Sequence, residues 1–177
     1  MFEQFGEPGG LMRTNIPSFR LPQGVLDEEI GAIVKMGAEL KLGHKIESMR
    51  GLIEQGGFDA VFVGSGAPKG KELNLPGRKE GGANIHIGIT WLESVAFDHI
   101  KSIGENVLII GVGNTAMDCC RSSLRLGAKS VKVMARKPRQ FFKASEWELE
   151  DAEEENVQIV VNRSPKNFVV EGGKLKG

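Results

Sequence analysis

A short glycine-rich segment carries the residues of this sequence whose types and spacing could do chemistry. Gly111, Gly113 and Ala116 form the pattern Gly-x-Gly-x-x-Ala. In such a pattern the first glycine allows a tight turn, and the second lets a pyrophosphate approach the backbone. The third small residue permits close packing of a helix on a strand. Because a helix N-terminus offers free N–H groups and a positive dipole end, the predicted chemistry is the binding of phosphate groups.

Two apolar runs and a helical segment must position that pattern. Residues 107–110 are apolar and precede the turn, and a helix is predicted from the turn to Leu126. Gly127 ends it before a second apolar run at residues 131–134. Strand, glycine turn, helix and strand within about 30 residues is the context that a dinucleotide-binding pattern requires. The sequence therefore predicts nucleotide binding, with a purely structural turn as the alternative.

The end of the second apolar run indicates which nucleotide is bound. NAD sites usually place an acidic residue there to accept a hydrogen bond from the ribose 2′-hydroxyl. This sequence has Arg136 and Lys137 instead. A guanidinium can bind a 2′-phosphate through two hydrogen bonds, and a lysine adds charge. The pattern favours NADP over NAD, and a pair of solvated surface cations is the alternative.

Three polar residues begin the helix that follows the turn. Asn114 and Thr115 are residue types that cap helix N-termini, and both can also donate hydrogen bonds to phosphate oxygens. Asp118 lies one turn further on. Its carboxylate could accept from local N–H groups or favour the helix start electrostatically.

Composition excludes several classes of function. The 177 residues contain 23 basic and 23 acidic side chains, so no net charge points to nucleic acid or to an anionic membrane. No apolar run is long enough to span a bilayer, and no signal pattern begins the chain, which predicts a cytoplasmic protein. The two cysteines are adjacent, without a Cys-x-x-Cys pair, and the three histidines are scattered. We therefore predict no iron–sulfur cluster and no metal site in this chain.

The N-terminal part predicts helices, short strands and a long irregular excursion. Helices are expected over residues 24–36 and around residues 49–53, with a short strand at 39–42. A buried strand is predicted at residues 60–63, where it runs into the small residues Gly-Ser-Gly-Ala. Glycines, prolines and charges at residues 68–88 indicate a linker, and a further helix precedes a domain boundary near residue 102.

The C-terminal part changes from basic to strongly acidic. Ser145 and Glu148 have the spacing of a capping box for a helix over residues 146–155. Its run of carboxylates is typical of a solvated helix face. A strand at residues 157–161 and a hairpin within residues 167–175 complete the prediction.

Several segments together resemble one known family. Gly111–Arg121 is similar to the NAD(P)H-binding turn of the glutamate synthase small (beta) subunit family of FAD-dependent oxidoreductases, which includes the amino-terminal flavin part of dihydropyrimidine dehydrogenase. The further segments that match, in the family's order, are Glu7–Arg13, Ile16–Pro17, Phe19–Pro22, Val25–Ile30 and Phe58–Ala67.

The resemblance implies an α/β fold with two Rossmann-like dinucleotide-binding domains, incomplete at both ends. Residues 1–102 would be the remnant of an FAD-binding domain, with its linker at 68–88. Residues 103–177 would be the NAD(P)-binding domain, truncated at its C-terminus. The implied flavin-binding residues are Glu3, Gly10, Leu11, Arg20, Ile46 and Gly66. The implied NAD(P)H-binding residues are Gly113, Asn114, Thr115, Asp118, Arg136 and Lys137.

The resemblance also implies a reaction and a partner. Hydride would pass from NAD(P)H to flavin, and electrons would continue to a larger redox subunit or an iron–sulfur protein. The family's first flavin fingerprint is missing before Glu3, so we expect an internal fragment with an incomplete FAD site, inactive alone. The alternatives are a non-catalytic nucleotide-binding or assembly module that has lost its flavin, and a second chain that supplies the missing strand. A homo-oligomer is a further hypothesis.

Overall fold

The computed structural model describes residues 1–177 as two compact units, Met1–Pro68 and Lys69–Gly177. The boundary between these units precedes the boundary near residue 102 that composition suggests. Residues 69–102 group with the C-terminal unit because a helix within them packs on the helix after the glycine turn. The assignment of the two parts of the chain to two different cofactors stays a prediction.

The N-terminal unit is built from three helices and one strand-like bridge. The helices are α1 (Gly10–Asn15), α2 (Gln23–Lys35) and α3 (Met49–Gln55). The predicted helices at 24–36 and 49–53 are thereby confirmed, and Gly37 (φ 102°) follows the end of α2. The expected strand at 39–42 is reduced to a single parallel bridge between Phe2 and Lys41.

The buried strand predicted at residues 60–63 is wrong. The backbone there has no regular secondary structure, and Phe62 is 95% exposed while Val63 is 61% exposed. No strand of the structure pairs with this segment. A lone extended segment leaves its N–H and C=O groups to water, so a run of apolar residues cannot form a sheet by itself.

The C-terminal unit is a parallel β-sheet with helices packed on one of its two faces. Its elements are α4 (Gly88–Ala96), β1 (Asn106–Ile110), α5 (Asn114–Arg125), β2 (Ser130–Met134), α6 (Glu146–Glu154) and β3 (Gln158–Val160). The strands lie in the order β1–β2–β3, with Val107 opposite Val131 and Val133 opposite Ile159. The predicted strand, turn, helix and strand are therefore confirmed, and so is the α/β class.

The core of this unit lies between the sheet and α5. Met117 and Cys120 of α5 are fully buried, and they cluster with Val131 and Val133 of β2 and with Leu149 of α6. The other face of β1 is open. Leu108 and Ile110 are 52% and 39% exposed, and β1 is an edge strand of this sheet.

A small antiparallel hairpin ends the chain. Its strands are β4 (Val170–Glu171) and β5 (Lys174–Leu175), which confirms the predicted hairpin. The segment predicted as a linker contacts the residues just before this hairpin. The Phe168 N–H donates to the Pro76 carbonyl at 2.8 Å. None of the helices combines the length and the apolar character needed to cross a membrane.

The acidic helix α6 is only in part the solvated face that its composition suggests, because Glu150 and Glu154 are exposed but other carboxylates are not. Glu148 is only 1% exposed, and Asp151 and Glu155 form ion pairs with arginines of α5. Arg121 contacts Asp151 at 2.7 Å and Glu155 at 2.9 Å, while Arg125 contacts Glu155 at 2.6 Å. The hydrogen bond from Arg125 lowers the pKa of the Glu155 carboxyl, with a smaller contribution from Arg121. Charge complementarity between α5 and α6 therefore explains two carboxylates of the acidic run, Asp151 and Glu155.

Candidate nucleotide-binding site

The glycine turn joins the carboxyl end of β1 directly to the start of α5. The Gly111 N–H donates to the Met134 carbonyl of β2 at 3.1 Å, and its φ of 127° lies in the region that favours glycine. Gly113 is the N-cap residue of α5, with extended backbone angles (φ −108°, ψ 174°). The turn thus places the helix N-terminus at the carboxyl edge of a parallel sheet, where α/β proteins bind ligands.

Gly113 has open space around its Cα atom and an N–H group without a hydrogen-bond partner in the protein. A Cβ built on Gly113 would find no atom within 4 Å, and its N–H donates no hydrogen bond within the protein. No side chain caps the start of α5. The first N–H groups of this helix are therefore available to an anion, as the binding of a pyrophosphate requires.

A loop before α6 is fastened to this turn by four hydrogen bonds. The Val112 carbonyl accepts from the N–H groups of Lys143 and Ala144 at 3.0 and 3.1 Å. Asn114 Oδ1 accepts from the Ser145 N–H at 3.1 Å, and Asn114 Nδ2 donates to Ser145 Oγ at 3.4 Å. We name these contacts between Asn114 and Ser145 the clasp.

The clasp corrects two predictions about capping. Asn114 and Thr115 do not cap α5, because Gly113 occupies the N-cap position. Ser145 is the N-cap residue of α6, but its side chain makes no capping hydrogen bond. The capping box is therefore wrong: the Ser145 hydroxyl accepts from Asn114 instead, and Glu148 is buried.

The remaining predicted residues of α5 differ in exposure. Thr115 is exposed at the start of the helix, whereas Ala116 is half-buried and packs against the core, as its small size predicts. Asp118 is only 4% exposed and lies one turn into α5, at the position that the sequence predicts. Its assignment to the nucleotide stays a prediction.

The cations after β2 have different partners. Arg136 is exposed and makes no ion pair or hydrogen bond. The Lys137 ammonium lies 5.2 Å from the centroid of the Phe141 ring. Arg139 pairs with Glu146 at 2.7 Å and with Glu153 at 2.6 Å. Of these three cations, Arg136 is the guanidinium available to a 2′-phosphate.

The predicted flavin-binding residues lie in the N-terminal unit. Leu11 Cδ1 is 3.6 Å from a Cβ built on Gly66, so the structure brings these two residues together. Gly10 (φ 52°) begins α1 with open space around it. The Glu3 carboxylate accepts from the Phe5 N–H at 3.0 Å, and Arg20 and Ile46 are half-buried. This unit contains no turn between a parallel strand and a helix, so a Rossmann-type phosphate site for FAD is not formed by these residues.

Arg13 is a buried side chain that sequence reasoning missed. It is 6% exposed and connects α1 to α2, donating to Gln23 Oε1 at 2.7 Å and pairing with Asp27 and with Glu7 (3.2 Å). Its guanidinium also donates to the Pro8 carbonyl. An arginine directly after an apolar segment gave only a weak signal, because buried and exposed arginines look alike in sequence.

The two cysteines are part of the core and are not a reactive pair. Cys119 is 4% exposed and Cys120 is fully buried. Burial raises the pKa of the Cys119 thiol and raises that of Cys120 to about 12, so both are thiols at neutral pH. No group of three or more His, Cys, Asp or Glu side chains is arranged to hold a metal ion.

Comparison with known proteins identifies the family to which this geometry belongs. The sequence pattern described as pyridine nucleotide-disulphide oxidoreductase matches residues 21–176. The chain belongs to that family. Members of the family use FAD and NAD(P)H, so the predicted cofactors are confirmed for the family.

Curated relatives confirm the resemblance to the glutamate synthase small subunit. The chain is 33% identical over 192 residues to the small chain of glutamate synthase [NADPH] from Halomonas elongata, covering 99% of this chain and 40% of the relative. It is 35% identical over 181 residues to the beta subunit of an NADP(+)-dependent formate dehydrogenase from Moorella thermoacetica, covering all of this chain and 25% of the relative. The chain thus spans well under half the length of these relatives.

A solved structure supports the fold. FprA from Mycobacterium tuberculosis in complex with NADPH matches 87% of this chain and 40% of its own length, with a TM-score of 0.72 and 19% identity. At that identity the match shows the fold alone. It confirms the α/β architecture that the sequence predicts.

Proposed function

We propose that this chain is the nucleotide-binding part of an FAD-dependent NAD(P)H oxidoreductase. The observation that carries the proposal is the backbone conformation of Gly113 together with the open space around it. Its φ of −108° suits any residue, and a Cβ there would meet no protein atom. Neither backbone strain nor packing within the protein explains a glycine at this position. Close approach of a ligand to the backbone does.

The chain's own residues would bind and orient the nucleotide. The N–H groups at the start of α5 would donate to the pyrophosphate, while Gly111 forms the turn and Ala116 lets α5 approach the sheet. Arg136 would pair with the 2′-phosphate, with Lys137 adding positive charge, so NADPH is preferred over NADH. Thr115 and Asp118 would complete this site, which lies in the predicted NAD(P)-binding domain, residues 103–177.

The flavin side of the proposal rests on the N-terminal part, residues 1–102. Glu3, Gly10, Leu11, Arg20, Ile46 and Gly66 are the proposed flavin-binding residues. Bound flavin would accept the hydride of NAD(P)H. Because these residues form no phosphate-binding turn of their own, we expect the chain alone to be inactive.

The proposed setting is a soluble redox complex. The relatives reported above are named as small or beta subunits, which supports a larger redox subunit or an iron–sulfur protein as the electron acceptor. The balanced charge supports a protein without nucleic-acid or membrane partners. A cytoplasmic location and a homo-oligomer are parts of the same proposal. The alternative, a binding module without redox function, is not favoured, because both relatives carry the names of redox enzyme subunits.

Gly113→Val tests the nucleotide site. The valine side chain would fill the space that the pyrophosphate needs, and its backbone angles at this position are unstrained. We expect loss of binding of both NADPH and NADH in titration calorimetry, with no change in the circular dichroism spectrum.

Gly104→Val is the matched control. Gly104 is exposed, lies in the loop before β1, and also has no atom within 4 Å of a built Cβ. Its substitution adds the same side chain away from the turn and should leave binding unchanged. Retained affinity in folded Gly113→Val would overturn the proposed function.

A further inference from the structure

We propose that Asn114 is a positioning residue that acts on the phosphate-binding turn through the clasp, and that it does not itself contact the nucleotide. This inference rests on the proposed function, because it concerns how the same turn is held ready for NAD(P)H. It separates Asn114 from the residues that would bind phosphate directly.

The first step of the inference is the orientation of one peptide group. All peptide bonds are trans, so the Val112 carbonyl and the Gly113 N–H point in opposite directions. The carbonyl points at the loop, where it accepts from Lys143 and Ala144. The Gly113 N–H therefore points away from the loop, and it is one of the donors that the protein leaves unpaired. The loop thus fixes the direction of a phosphate-binding donor.

The second step concerns the side chain of Asn114. Its Oδ1 accepts from the Ser145 N–H and its Nδ2 donates to Ser145 Oγ, so both ends of the amide already have partners in the protein. Nδ2 has a second hydrogen, but the two contacts with Ser145 fix the plane of the amide and therefore the direction of that hydrogen. The amide thus joins the first residue of α5 to the N-cap residue of α6.

The third step is the rigidity of the loop. It is followed at once by α6, whose Leu149 is fully buried in the core and whose Glu155 and Asp151 pair with Arg121 of α5. The Phe142 side chain packs against the same core. Because contacts of α6 and Phe142 hold the loop in place, the clasp can hold the glycine turn in one position. A mobile loop could not do this.

Substitution of Ser145 tests the clasp without altering a residue of the proposed binding site. Ser145→Pro removes the N–H that donates to Asn114 Oδ1, and φ at Ser145 is −64°, which proline adopts. Ser145→Ala is the matched control, because it keeps that N–H and loses only the longer contact at 3.4 Å. We expect Ser145→Pro to weaken NADPH and NADH binding by the same factor, roughly tenfold, with Ser145→Ala close to the wild type.

A double-mutant cycle separates positioning from direct contact. Asn114→Ala should weaken both nucleotides about as much as Ser145→Pro does, and the double variant should lose no more than either single one. Additive losses would show that Asn114 touches the nucleotide and would overturn the inference. So would unchanged affinity in Asn114→Ala and Ser145→Pro. Wild-type protein that binds neither nucleotide would instead overturn the proposed function.

Phe142→Ala keeps the inference testable if proline at residue 145 prevents folding. It loosens the same loop from the core and leaves Asn114 and Ser145 unchanged, so a positioning role predicts weaker binding of both nucleotides and no further loss when it is combined with Asn114→Ala. A direct contact between Asn114 and phosphate predicts additive losses. Titration calorimetry of NADPH and NADH on the 177-residue chain measures each of these variants.

Discussion

Two glycines of one turn are glycines for different reasons. At Gly111 the backbone itself demands glycine, because φ is 127°. At Gly113 the backbone is ordinary, and the surrounding space is empty of protein atoms. The sequence pattern contains both positions without distinguishing these causes. A substitution at Gly111 therefore tests the fold of the turn, whereas one at Gly113 tests the ligand.

The proposed preference for NADPH depends on a single unpaired guanidinium. We expect Arg136→Ala to weaken NADPH binding roughly ten- to hundredfold, because a charged hydrogen-bonded pair with phosphate contributes about 1.5–3 kcal/mol. NADH binding should change much less, since NADH lacks the 2′-phosphate. Competitive titration of both nucleotides measures the ratio.

Arg139→Ala is the control for that substitution. It removes a guanidinium three residues away whose partners are already Glu146 and Glu153. Its NADPH affinity should therefore stay near the wild-type value. Equal losses for NADPH and NADH in Arg136→Ala would contradict the assignment of Arg136 to the 2′-phosphate.

Arg136 and Lys137 are selected in the sequence by their position after β2, but the sequence could not show which cation lacks a partner in the protein. Arg139, three residues after Arg136, has the same type of side chain. Their difference arises from α6, which lies further along the chain and supplies carboxylates to Arg139 alone among the three. The clasp was likewise beyond sequence reasoning, because Asn114 and Ser145 are 31 residues apart. Local patterns show which groups exist, and the tertiary fold decides which of them remain available.

At the scale of elements, α5 and α6 are held together by a network of ion pairs. Arg121 and Arg125 of α5 both contact Glu155 at the end of α6, and the Arg121 side chain is 12% exposed. Such partly buried pairs with hydrogen bonds contribute more than pairs in full solvent. This network also holds the loop that carries Ser145, so the stability of α6 and the geometry of the turn are linked.

We expect Glu155→Gln to lower the free energy of unfolding by about 1–2 kcal/mol at pH 7. The pKa of the Glu155 carboxyl is lowered in the folded protein, so its contribution is present above the pKa of the unfolded chain. That contribution disappears as the pH falls through the lowered pKa. Urea denaturation at pH 7 and at about pH 2 measures both values, and the difference between variant and wild type should vanish at the lower pH.

Glu150→Gln is the control on the same helix, because Glu150 is exposed and makes no ion pair. It should leave the free energy of unfolding unchanged at both pH values. A loss that is equal in the two variants, or that persists at low pH, would show that the ion pairs of Glu155 do not stabilise α6.

Element prediction succeeded where neighbours along the chain are also neighbours in space. The segment from β1 to β2 forms as predicted because strand, helix and strand pack on one another. The apolar segment at residues 60–63 shows the opposite case. Its residue types favour a strand, but no partner strand lies beside it, so it stays irregular with Phe62 exposed. The spacing and type of apolar residues indicate that a segment can form a strand. Whether it does so depends on a second strand beside it.

For the whole molecule, the position of α4 decides where an independent unit begins. Composition places a boundary near residue 102, after this helix. In the structure, Trp91 and Leu92 of α4 are buried against Cys119 of α5. The close approach is visible at Gly88, where a built Cβ would lie 3.2 Å from Cys119 Sγ. The helix before the sheet is therefore part of the same core.

Truncation tests this division. We expect residues 69–177 produced alone to unfold cooperatively on heating and to bind NADPH as tightly as the whole chain. Residues 103–177, which lack α4, should be less stable, because the buried surface of α5 around Cys119 would meet water. Thermal unfolding followed by circular dichroism compares the two. Equal stability would contradict the role of α4 in the core.

The open edge of β1 has a consequence for the behaviour of the chain at high concentration. Its five residues, Asn106–Ile110, contain neither proline nor charge, and Leu108 and Ile110 are exposed on the uncovered face. Proteins usually protect such edges against strand addition with lysine, proline or a bulge. β1 has none of these features, so we expect aggregation to begin at this strand. Leu108→Lys is the simplest substitution that would place a protecting charge there.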